Sequence, residues 1–154
     1  MRQNRVLPVA TLLLALLVPL LPAPATGADA PVIGSIKNVR GTASVVRAGE
    51  ALPARAGLRL LEGDAIQTGA DGAVGAILRD DAVLSVGPSS RVALDRFLFA
   101  PAEGRLGFTA RILRGTFSYL SGLIGRLAPE SARFETPVAT VGIRGTRFAV
   151  RVAE

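Results

Sequence analysis

From Val32 to the end, turn-forming residues cut the chain into pieces roughly 8–12 residues apart, the spacing of a many-stranded β domain. Ala48-Gly49-Glu50, Asp71-Gly72, Asp80-Asp81 and Gly87-Pro88 are the clearest interruptions. Between them lie short apolar or alternating runs: Val32–Val39, Gly41–Arg47, Ala65–Thr68, Ala73–Arg79, Ala82–Gly87 and Arg91–Phe99. In the hairpin predicted across Asp80-Asp81, Val74, Ala76 and Leu78 share one face, and Leu84 and Val86 alternate with Val83 and Ser85. Val92 and Leu94, with Phe97 or Leu98 after them, are expected inward. No periodic run after the leader is long enough for a firm helix. The expected fold is all-β: one compact domain of short antiparallel and stacked strands, sandwich-like or solenoid-like, with few or no helices outside the leader. Ala100–Gly107 reads as a loose surface loop, Phe108–Leu120 as two strand pieces broken at Gly115 with helix competing for part of it, and Gly122–Ala128 as a short irregular or helical connection.

The first residues do not belong to that pattern. Arg2 and Arg5 precede a run, Val6–Leu21, that is apolar apart from Thr11, and small residues follow it. This is the layout of a secretory signal peptide, with Ala23-Pro24-Ala25 as an A-x-A site. The competing reading, an uncleaved anchor, needs about 20 apolar residues, and Pro8 and Pro19 interrupt this run. Residues 1–28 are therefore expected to be removed, leaving 29–154 as a single exported domain with no transmembrane segment. The chain has no cysteine, so the domain must be held by its core without disulfides.

Composition excludes several chemistries. The chain has no His and no Cys, which removes the usual general base, the commonest metal ligand and the thiol nucleophile. No serine sits in a G-x-S-x-G context. Asp80 and Asp81 would face opposite ways on a strand, or be solvated in a turn, so they make no catalytic pair. Asp64, Asp71, Asp80 and Asp81 could supply calcium oxygens, but their spacing forms no known loop. No enzyme activity, cofactor or metal is expected. The formal net charge is +6, carried almost wholly by arginine. The arginines are scattered, there is no Trp and only one Tyr, so the interleaved stacking surface of a nucleic-acid binder is missing.

The ending, TPVATVGIRGTRFAVRV over Thr136–Val152, is the most specific passage. Pro137 biases Thr136 toward extended backbone, and an extended segment is expected to start there. Gly142 and Gly145 flank Ile143-Arg144 as a corner. Beyond Gly145 and Thr146, Phe148, Val150 and Val152 alternate with Arg147, Ala149 and Arg151 as a half-buried strand. This passage resembles the closing motif of the FecR-type periplasmic domain. Further stretches arrive in the same order: Gly34–Val46, the L-L-E-G-D-A-I-Q-T of Leu60–Thr68, and Ala76–Leu94. Asp80-Asp81-Ala82 departs from the D-G-S turn usual in that family, and Asp81 must tolerate the left-handed region in place of glycine.

The resemblance implies a non-catalytic FecR-like domain, here in a stand-alone version, acting as an interaction, scaffold or envelope-signalling module. Its partner would be another envelope protein, such as a membrane sensor or outer-membrane receptor on which it acts in trans. Binding of cell-wall glycan is the alternative. Gly63, Asp64, Thr68, Thr136, Pro137, Gly142, Arg144, Gly145, Thr146 and Phe148 are the motif residues. Their expected roles are structural: Asp64 accepts backbone N–H groups at a corner, Thr136 and Thr146 bond to the backbone, and Arg144 pairs with Asp64.

Overall fold

The computed structural model describes residues 30–143 and 147–153. The leader and the closing-motif residues Arg144, Gly145 and Thr146 lie outside the described residues. Twelve strands follow in order: β1 Val32–Arg40, β2 Ala43–Arg47, β3 Glu50–Pro53, β4 Arg59–Leu61, β5 Ala65–Thr68, β6 Ala73–Leu78, β7 Val83–Val86, β8 Arg91–Ala100, β9 Arg105–Leu120, β10 Ala132–Glu135, β11 Thr140–Gly142 and β12 Arg147–Val152. One five-residue helix, α1 Leu123–Leu127, lies between β9 and β10.

The strands form one continuous, curled sheet in the order β3-β2-β5-β8-β9-β7-β6-β1-β4, with β12 and β10 also paired to β9 and β11 paired to β10. β9 makes the sheet double back. Its residues up to Arg114 pair with β8 and β10, and those from Gly115 onward pair with β7 and β12. We call the half holding β1, β4, β6, β7, β12 and the end of β9 sheet A, and the other half sheet B. The turn between halves is made at Gly115, whose φ of +84° suits only glycine and where a Cβ would strike Ser90. The sequence break expected at Gly115 is thus a corner inside one sixteen-residue strand, and no part of Phe108–Leu120 is helical.

One core fills the space between the halves, with Ile33, Ile36, Leu84 and Phe117 from sheet A packed with Val45, Ile66, Leu94 and Ile112 from sheet B. The aromatic rings sit together around Phe134. Its ring centroid lies 4.8 Å from Tyr119, 5.1 Å from Phe148 and 5.7 Å from both Phe108 and Phe117. Phe97 and Phe99 join through Phe108, so all six Phe and the single Tyr belong to one cluster.

Most of the expected alternation is present. Val74, Ala76, Leu78, Leu84, Val86, Val92 and Leu94 are buried. On β8 the parity then flips, because the pairing with β9 slips between Leu94 and Arg96. The extra residue, Asp95, turns Phe97 inward in place of Leu98. Two other expectations need correction, and two features were not anticipated. Ala100–Gly107 is not a loose loop: Pro101–Glu103 forms a single 3-10 turn closed by Gly104, and Arg105, Leu106 and Gly107 already pair with β8. Thr136-Pro137 does not begin an extended run. The N–H of Thr136 donates to the carbonyl of Ala139 (2.7 Å), making the tight turn between β10 and β11. β3 was not anticipated; Pro53 is tolerated because β3 is an edge strand. Finally, β10 runs parallel to β9, through a connection that contains α1.

Candidate interaction surface

The motif residues of the GD corner are occupied by the fold itself. Gly63, at φ +88°, turns the chain from β4 into β5 and donates its N–H to the Leu94 carbonyl (2.8 Å). Asp64 is buried and accepts the N–H of Leu61 at Oδ2 (2.8 Å). Its two oxygens also accept a bidentate pair from Arg47, Nε to Oδ1 at 2.9 Å and Nη2 to Oδ2 at 2.8 Å. The hydrogen bond to Asp64 raises the Arg47 guanidinium above its usual value. Arg47 Nη2 also donates to the Arg59 carbonyl at 2.8 Å, so one side chain on β2 ties β4 to the corner before β5. Arg144, expected as the Asp64 partner, lies outside the described residues. Arg47 was not anticipated; it stands 17 residues from Asp64 and no local signal links them.

Thr68 is buried and donates its hydroxyl to the Gly87 carbonyl (2.6 Å) while accepting the N–H of Ser90 (2.9 Å). Ser90, also missed, accepts the Thr116 N–H at its Oγ (2.8 Å), directly after the Gly115 corner. Thr136 Oγ1 accepts the Ala139 N–H (3.0 Å) across the β10–β11 turn, which leaves Pro137 exposed. Gly142 ends β11 in open space, and Phe148 is half-buried against Phe134. Thus Gly63 and Asp64 meet at one corner and Thr68 braces another, while Thr136, Pro137 and Gly142 lie on the β10–β11 hairpin.

The acidic residues do not converge. Asp71 Oδ1 caps the Thr42 N–H (3.2 Å). Asp80 is buried, not solvated as the turn suggested. Its carboxylate accepts the N–H groups of Ala82 and Ile124 (3.2 Å each), and its carbonyl accepts that of Leu123 (2.7 Å). Burial pushes the Asp80 carboxyl above the usual range. It also carries the neighbouring Tyr119 hydroxyl up to about 12, with the Asp80 charge adding to the effect. Asp81 takes the left-handed turn position at φ +66°. Among the described residues no three His, Cys, Asp or Glu side chains form a metal-sized group.

The remaining feature is the outer face of sheet A. Register places Asn38, Gly75, Ser85, Ser118 and Ala149 side by side across five strands. Beside this row of small residues runs an apolar one, Ile77, Val83 and Leu120, ending at Arg147. The small row floors an open trough of about 660 Å³ over β1, β6, β7 and the end of β9. Lys37 and Arg40 edge it on β1, and Arg147 and Arg151 project outward on β12 beyond it. The strands of sheet A carry no Asp or Glu. Among the described residues, no ion pair involves Lys37, Arg40, Arg147 or Arg151. No helix among the described residues is long and apolar enough to cross a membrane.

No curated protein and no solved structure matches the chain. The family described as "FecR protein" matches residues 64–154. This stretch takes in the GD corner from Asp64, the β6–β7 hairpin and the closing motif, while Gly34–Val46 precedes it. A match over more than half of the sequence, on the motifs that build the corners described above, places the chain in the FecR family.

Proposed function

We propose that this chain is a non-catalytic, exported interaction module that docks another envelope protein on the outer face of sheet A. The observation carrying this reading is the carboxylate-free trough: small residues on its floor, an apolar row beside it, and cations along both sides that have no ion pair among the described residues. Such a face admits close approach, and it attracts and orients an acidic partner. Family membership and the absence of His and Cys support a role in binding over catalysis. The signal-peptide-like layout of the first residues supports a periplasmic location, and in this reading the domain acts in trans there on a membrane sensor or receptor as a scaffold or signalling element. The glycan alternative has less support. Sugars favour exposed aromatic platforms, and every ring of this chain belongs to the cluster around Phe134.

A pull-down from envelope extract tests the reading. The wild-type protein is expected to retain a discrete envelope protein, and a Ser85→Glu/Ser118→Glu variant to lose it. Recovery of no specific protein, or equal recovery by both forms, would overturn the proposal.

A further inference from the structure

Four strands have one side unpaired along their whole length among the described residues: β3, β4, β11 and β12. Three of them are poor templates. β3 ends in Pro53, and β4 and β11 have three residues each. β12 has six, with neither Gly nor Pro. Its free side is a row of backbone donors and acceptors able to take another strand.

Side chains decide what that strand can be. Arg147 and Arg151 project from the outer side of β12, about 13 Å apart at the usual rise per residue, with Ala149 between them. On the inner side Phe148, Val150 and Val152 are only half-buried. A second copy of β12 is a poor fit. Any register that keeps the two faces matched sets Arg against Arg or Ala, because β12 carries no carboxylate. An extended segment alternating acidic and apolar residues fits both sides. Its carboxylates would stand opposite Arg147 and Arg151, and its apolar residues would cover Phe148 and Val150.

We propose that the open edge of β12 receives such an acidic, extended segment of another polypeptide, which adds one strand to sheet A. The inference rests on the reading that sheet A is the docking side and names how the partner engages it. Backbone bonding supplies affinity and the arginines supply selectivity.

The test uses the protein purified from the envelope of expressing cells and three synthetic ten-residue peptides. One alternates Glu and Val, one alternates Lys and Val, and one is the Glu/Val peptide N-methylated throughout. The readout is amide hydrogen exchange resolved by residue. The Glu/Val peptide should slow exchange along β12, and the other two should not. An Arg147→Glu/Arg151→Glu variant, checked for native circular dichroism, should bind it roughly tenfold more weakly and turn to the Lys/Val peptide. Equal protection by the Lys/Val peptide, undiminished binding of the N-methylated peptide, or protection confined to β3 or β4 would overturn the proposal. If β12 is never protected while Ser85→Glu/Ser118→Glu still abolishes partner recovery, the edge proposal falls and the face reading stands. If both fail, both fall.

Discussion

The two halves of this domain differ in the acids they place beside arginine. On sheet B, Arg111 makes a bidentate pair with Asp95 at 2.7 and 2.8 Å. That bond and then the Asp95 charge raise its guanidinium above the usual value, with Glu135 on the next strand adding to the effect. Arg47 is tied to Asp64. On sheet A no strand carries an acid, and Arg147 and Arg151 have no ionic partner among the described residues. Asp80, in the β6–β7 turn, is folded inward onto the start of α1. The acid–arginine pairs of sheet B brace it, whereas the arginines of sheet A, with no ionic partner among the described residues, are available to a partner. The difference separates what this chain uses to fold from what it offers outward.

If that division holds, the largest stability losses belong to the braced side and the joint. Asp64→Ala removes the acceptor of Arg47 and of the Leu61 N–H, and should cost about 3 kcal/mol in urea unfolding. A loss under about 1 kcal/mol would mean that the corner is not held by this pair. Gly115→Ala forces a side chain into positive φ against Ser90 and should cost about as much. A native-like midpoint would show that β9 can turn elsewhere.

Asp80 sharpens the picture through pH. Burial sets its folded value above its unfolded one, so the folded state holds the proton more tightly. Its contribution to stability is therefore greatest at acid pH. It falls as pH rises from the ordinary Asp value, about 4, through the raised folded value. Asp80→Asn should remove that decline, seen as a flatter urea midpoint between pH 4 and 7 than in the wild type. Parallel profiles would place the carboxyl in solvent. The smallest effects belong to exposed charges. Arg111→Ala should cost at most about 1 kcal/mol and Arg151→Ala close to nothing. A larger loss for Arg151 would make the open arginines structural.

Much of this fold is written in local patterns. The period-two burial of β6, β7 and β12 follows from alternation alone, and Gly63 and Gly104 mark turns by their chemistry. What could not be read depends on distant partners. Arg47 meets Asp64 across 17 residues, and Asp80 is buried by backbone from Ile124, 44 residues away. The bulge at Asp95 flips the parity of β8 without any glycine to announce it. The candidate face was hidden for the same reason. Its arginines look scattered along the sequence, and only the strand order shows that the acid-free strands lie together.

Photo-crosslinking in living cells tests the central claim most directly, with a photoreactive residue placed at Ser85 on sheet A or at the exposed Leu113 on sheet B. The account predicts a discrete adduct with one envelope protein from Ser85 and none from Leu113. An adduct from Leu113 alone, or equal adducts from both positions, would contradict it.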